Sequence, residues 1–125
     1  MARITIIDDD EGVIDACRLF LEREGHQVAG ATSREEGKVL LAESPPELLI
    51  LDVMMREQDD GFALAQELRR EGHSYPILML SSIGKSTGLT YEKNSAILPV
   101  DAFKEKPISP ARLVAVVNRL LHGKE

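Results

Sequence analysis

The chain has 125 residues, enough for one domain with a single core and too few for two. Apolar residues make up 43% and charged residues 29%, the balance of a folded globular protein rather than a disordered one. A net charge of −6, no basic cluster and 4% aromatics argue against direct nucleic-acid binding. No apolar run approaches the ~18 residues of a membrane span, and the N-terminus lacks the pattern of a signal peptide. A cytoplasmic protein is expected. The single cysteine, Cys17, falls among apolar helix positions and reads as a buried packing thiol.

Residues 4–7, Ile-Thr-Ile-Ile, are β-branched throughout and predict a first strand ending in Asp8-Asp9-Asp10. Val13, Ile14, Cys17, Phe20 and Leu21 follow at helical spacing over residues 11–24, closed by Gly25. Residues 26–31 form a second strand of weak alternation. Ser33 with Glu36 is a capping box that opens a helix through about Ala42. Pro45-Pro46 stops that helix, and residues 47–52 run Glu-Leu-Leu-Ile-Leu-Asp, a strand buried on both faces. Asp59 or Asp60 caps a helix over 61–70 with Leu64, Ala65 and Leu68 inward, ended by Gly72. Residues 76–81 make a fourth strand ending in Ser81. Residues 83–99 carry no sustained helical period and predict an irregular segment with at most a short helix. A short last strand over 100–104 precedes Ser109-Pro110, which starts a helix whose stripe is Leu113, Val116, Val117, Leu120 and Leu121. His26, His73 and His122 sit apart without metal spacing and read as surface residues. Strands alternating with helices imply βαβ units and a parallel sheet.

In such a sheet, ligands sit at the carboxyl ends of the strands. Asp8, Asp9, Asp52, Ser81 and Lys106 all fall at strand ends. Acids delivered to one edge repel one another unless compensated, and the simplest compensation is a hard divalent cation with oxygen ligands, for which Mg²⁺ is suited. Asp52 reads as a nucleophile, with Asp8 and Asp9 holding its metal. Taken singly, Asp10 and Glu11 read as helix caps, Lys106 as a surface lysine and Ser81 as a strand-end hydroxyl bonding backbone. The combination in register is what gives them a shared role.

These pieces, in order, are the apolar strand ending in Asp8-Asp9, the Asp52 strand, Met55, the Asp60-Gly61 pair, the strand ending in Ser81-Ser82, and Lys106-Pro107. With them the chain resembles the receiver domain of two-component response regulators over its whole length, as a single domain, 1–125. The resemblance implies a flavodoxin-like, doubly wound α/β fold: a five-stranded parallel sheet of order 2-1-3-4-5 with helices on both faces. It implies that Asp52 takes phosphate from a sensor histidine kinase or phosphotransfer protein, that Asp8, Asp9, Asp52 and the Met54 carbonyl hold Mg²⁺, and that Lys106 and the Ser81 hydroxyl contact the phosphoryl oxygens. Ser81 and Phe103 would be the switch residues, although Phe103, on an apolar strand, also reads as core. Output would go to a separate effector protein through the last strand, the segment before it and the last helix, and the resemblance leaves room for a phosphorylation-dependent homodimer there. Such a protein is no enzyme beyond catalysing its own phosphorylation and dephosphorylation.

The chain departs from the family pattern in several places. Arg56 stands where a proline is usual, Ser81 replaces a threonine, Phe103 replaces a tyrosine, and the span from Ser81 to Lys106 is long and lacks the fourth helix's pattern. In the family, the positions two past the acceptor and two past the hydroxyl flank the line of hydrolytic water; here they are the apolar Met54 and Ile83, so the resemblance implies slow self-dephosphorylation. Two other functions compete. A haloacid-dehalogenase-like phosphatase would use Asp8 as nucleophile and Asp10 as general acid, but no acidic pair ends a later strand to complete its metal site. A phosphorylation-independent binding module would keep the fold and ignore Asp52.

Overall fold

The computed structural model describes residues 2–52, 60–81, 100–106 and 108–122, and for Asp60, Phe62 and Ser81 the backbone alone. The elements are β1 (Arg3–Ile7), α1 (Glu11–Arg23), β2 (Gln27–Ala31), α2 (Arg34–Glu43), β3 (Leu48–Asp52), α3 (Asp60–Arg70), β4 (Ile77–Ser81), β5 (Ala102–Glu105) and α4 (Pro110–Leu121). All strand pairs are parallel, in the order β2-β1-β3-β4-β5. No helix among the described residues is long and apolar enough to cross a membrane.

The continuous apolar runs are explained by burial on both faces. Successive side chains point to opposite sides, so Ile4, Ile6, Leu48, Ile50, Leu78 and Leu80 pack with Ile14, Cys17 and Leu21 of α1 and Leu113, Val116 and Val117 of α4. Ile7, Leu49, Leu51, Ile77 and Met79 meet Leu41 of α2 and Leu64, Ala65 and Leu68 of α3 on the other face. Each fully buried Leu or Ile contributes about 1.5–3 kcal/mol, so these two layers, more than helix propensity, hold the sheet. Cys17 is 5% exposed, and burial pushes its thiol up to about 11, the packing thiol expected.

The caps are local. Asp10 accepts from Gly12 N–H, Ser33 from Glu36 N–H and Ser109 from Arg112 N–H, with Pro110 in the first turn. Glu36 returns its carboxylate to Thr32 N–H at 2.8 Å rather than to Ser33, so the expected box closes one residue early. Gly25 and Gly72 leave α1 and α3 at φ 91° and 95°, the left-handed region open to glycine. α3 begins at Asp60, so Asp60 is its first residue rather than its cap, and Asp59, the other expected cap, lies outside the described residues.

At the end of the sheet where strands begin, side chains complete the ladder. Arg3 N–H donates to Glu47 Oε1 at 2.7 Å while Glu47 N–H donates to Arg3 O. Ile77 N–H donates to Asp101 Oδ2 at 2.9 Å while Asp101 N–H donates to Ile77 O. Ala2 N–H donates to His26 Nδ1 at 3.1 Å. His26 is therefore half-buried and engaged, and His73 is half-buried with its ring 5.4 Å from that of Tyr75; only His122 is exposed as expected. The Asp101 exchange also explains why the last strand starts at Ala102 rather than 100: a carboxylate takes the Ile77 N–H that a backbone carbonyl would otherwise accept. Arg69 reinforces it, donating to Asp101 Oδ2 at 3.0 Å and to the carbonyls of His73 and Tyr75 at 2.9 Å. The irregular segment expected over 83–99, including any fourth helix of the family, lies outside the described residues.

Candidate functional site

β1 and β3 are neighbours, and the chain leaves them in opposite directions across the sheet, to β2 on one side and β4 on the other. A crevice opens at such a switch point beyond the strand ends. Asp52 is the last residue of β3, and Asp8 follows the last residue of β1 with its N–H on Ala31 O at 3.0 Å. One oxygen each from Asp8, Asp9 and Asp52 fall within 4.8 Å of one another, with Asp8 and Asp52 buried and Asp9 exposed.

Lys106, one residue past β5, reaches into this group. Its Nζ lies 2.8 Å from Asp8 Oδ2 and 3.2 Å from Asp52 Oδ1. Burial alone would lower the Lys106 pKa; its bond to Asp8 and the charge of Asp52 outweigh that and raise it. Asp52 moves the other way from an ordinary carboxylate, up to about 6, because burial and then Asp8 disfavour its ionised form more than Lys106 favours it. Three ionised carboxylates against one ammonium leave two negative charges, which a divalent cation would cancel. The donors are all oxygen, and the exposed Asp9 leaves room for water, which fits Mg²⁺ better than a softer metal.

The sequence groups Asp8, Asp9, Asp52, Ser81 and Lys106, and the structure brings Asp8, Asp9, Asp52 and Lys106 together. The Ser81 backbone ends β4, paired with Glu105, while its hydroxyl is not described. The Met54 carbonyl, Ile83 and Pro107 lie outside the described residues. Phe103 lies in β5 opposite Met79 and packs half-buried on the α2/α3 side of the core. Asp10, the general acid of the phosphatase alternative, is exposed, with its carboxylate on Gly12 N–H at 2.8 Å. What sequence reasoning missed is the bond from Asp10 N–H to Asp8 Oδ1, at 2.9 Å. The signal was present: an aspartate two residues before a second one that caps a helix is the pattern of an Asx-turn.

The family model of the response regulator receiver domain matches residues 4–118. The chain belongs to that family. Response regulator SaeR of Staphylococcus aureus is 31% identical over 121 residues, covering 97% of this chain and 51% of that protein. The receiver thus spans about half the length of the curated relatives it matches. Among solved structures, the receiver domain of NtrX from Brucella abortus is 25% identical with a TM-score of 0.82, covering 97% of this chain and 99% of that one. A CheY-like receiver domain protein from Methanospirillum hungatei JF-1, at 23% identity, has a TM-score of 0.84, with 98% and 94% covered, and speaks to the fold alone. The five-stranded order β2-β1-β3-β4-β5 is the receiver fold expected from the sequence.

Proposed function

We infer that this receiver takes a phosphoryl group onto Asp52 from a histidine kinase or phosphotransfer protein, with Mg²⁺ held by Asp8, Asp9 and Asp52, and passes the change to an effector. The observation that carries the reading is the Lys106 ammonium bridging the buried carboxylates of Asp8 and Asp52, with Asp9 beside them.

Joining two anions demands positioning and charge neutralisation above all. A carboxylate oxygen of Asp52 forms the new O–P bond. The P–N bond of the donor's phosphohistidine breaks, its electron pair stays on the imidazole, and that ring takes up a proton. Bound at the three aspartates, Mg²⁺ would offset the charge of the carboxylates and of the incoming phosphoryl oxygens. Lys106 already points its ammonium at Asp52 Oδ1 and needs only a small movement to meet those oxygens. In this reading the Met54 carbonyl would complete the metal ligands, and the Ser81 hydroxyl would take another phosphoryl oxygen. Phe103, seated against Met79 in β5, is the side chain that would follow Ser81. Phosphorylation then biases a two-state equilibrium at the surface of β5 and α4, where an effector or a second copy would dock. The only chemistry catalysed is gain and loss of the chain's own phosphoryl group.

The test is incubation with acetyl phosphate and Mg²⁺, read by intact mass. Wild type gains one phosphoryl group, and Asp52→Asn or added chelator abolishes the gain. A wild-type chain left unmodified by every competent donor overturns the reading.

A further inference from the structure

We propose that Asp10 is a positioning residue for the metal-facing carboxylate of Asp8, a role that rests on the Mg²⁺ site inferred above. Asp8 is 1% exposed, so each of its oxygens needs a partner within the protein. Its Oδ2 accepts from Lys106 and faces the charged pocket. Its Oδ1 accepts the N–H of Asp10 at 2.9 Å. That second bond fixes the plane in which Asp8 presents its other oxygen to the pocket, because tilting the carboxylate would break it.

The N–H of residue 10 is in turn held by everything else residue 10 does. The Asp10 side chain accepts from Gly12 N–H at 2.8 Å, and its carbonyl accepts from Val13 and Ile14 N–H at 3.0 and 3.2 Å. Its backbone is extended, φ −101° and ψ 107°, as a helix cap requires. Gly12 keeps the place clear: a Cβ there would sit 3.1 Å from Asp10 Oδ1. One residue thus ties the start of α1 to the orientation of a buried carboxylate in the pocket. A residue that only capped α1 would affect stability and leave the pocket unchanged. One that orients Asp8 changes how the pocket receives a cation, as partners behind metal ligands generally do.

The experiment compares wild type, Asp10→Ala and Asp10→Asn, titrated with Mg²⁺ alone and followed by amide NMR, since the chain has no tryptophan. Asp10→Ala should weaken Mg²⁺ affinity roughly tenfold, the lower end of effects seen for partners behind metal ligands, and should speed hydrogen exchange at the residue-10 amide. Asp10→Asn should stay within about twofold of wild type, because Asn caps as well as Asp although it carries no charge. Equal weakening in both variants would mean that Asp10 acts through its charge, and the proposal falls. So it does if Asp10→Ala lowers the unfolding midpoint yet binds Mg²⁺ as wild type does. A wild-type chain that binds no Mg²⁺ instead overturns the functional reading and this proposal with it, so the two failures are told apart.

Discussion

The ammonium of Lys106 lies 3.2 Å from Asp52 Oδ1, joining residues 54 positions apart at one rim of the sheet. The same nitrogen holds Asp8, so a tethered cation sits among the acids where a divalent ion is inferred to bind. Removing it should have opposite effects on folding and on metal binding. Lys106→Met leaves two buried carboxylates uncompensated and should cost roughly 3 kcal/mol without metal. The same variant should bind Mg²⁺ more tightly, because a competing positive charge is gone, yet phosphorylate at least tenfold more slowly, as is typical when a group that neutralises transition-state charge is lost. Urea unfolding with chelator, a Mg²⁺ titration and an acetyl phosphate time course check the three outcomes.

Asp52 yields a stability prediction of unusual sign. Its carboxyl is held at about 6, above the ordinary 3.8, chiefly by burial. The folded state therefore keeps this proton more readily than the unfolded chain does. Stability should fall as pH rises from about 4 through 6, by up to about 3 kcal/mol for a two-unit shift. Asp52→Asn removes that cost, so at pH 7.5 with chelator the variant should be more stable than wild type, with the difference vanishing near pH 4. Saturating Mg²⁺ should narrow the gap from the wild-type side. Denaturant midpoints at three pH values test it, and a destabilised Asn variant at pH 7.5 would contradict it.

Asp101 should matter although it is remote from the pocket. Its carboxylate accepts both Ile77 N–H and the Arg69 guanidinium. Asp101→Ala orphans a strand N–H and should cost about 1–3 kcal/mol. Asp101→Asn keeps an acceptor for Ile77 and should lose less than Ala does. Equilibrium unfolding of the two variants separates the hydrogen bond from the charge.

Gly37 faces Ile7 so closely that an added Cβ would lie 2.4 Å from Ile7 Cδ1. Gly37→Ala gains about 1 kcal/mol of helix propensity but incurs about 1–3 kcal/mol of overpacking, so net destabilisation is expected. Ile7→Val removes the crowded methyl. The double variant should be less destabilised than the sum of the singles, a coupling that a double-mutant cycle reads directly.

Phosphoryl lifetime is the remaining prediction. The receiver resemblance assigns the apolar Met54 and Ile83 to positions that flank the attacking water in that family, and on that basis decay after donor removal should be slow. Met54→Asn and Ile83→Glu should shorten it; an unchanged lifetime would remove those residues from the account.

Much of this was legible from the chain alone, for identifiable reasons. Runs such as Leu48 to Asp52 have one packing solution, a strand covered on both faces, and their terminal acids must then share an edge. That logic brings Asp8, Asp52 and Lys106 together from the sequence alone. It could not place Asp101, because an acid at a strand entry looks like any loop acid until the N–H it accepts is known. Nor could it pair Glu67 of α3 with Arg34 and Lys38 of α2, whose hydrogen bonds hold the Glu67 carboxyl down at about 2. Partners 29 and 33 positions apart on different helices leave no periodic mark. His26 looks like a surface residue in the sequence for the same reason: its acceptor role depends on the register of β1 against β2.

The seating of Gly37 over Ile7 reaches further than the stability of α2. Ile7 immediately precedes Asp8, so the last apolar anchor of β1 is also the footing of a pocket carboxylate. A methyl group added at Gly37 would press on that footing and detune the acid beyond it. The precision of the charged end of this molecule is thus set partly by a clearance only a hydrogen atom can occupy.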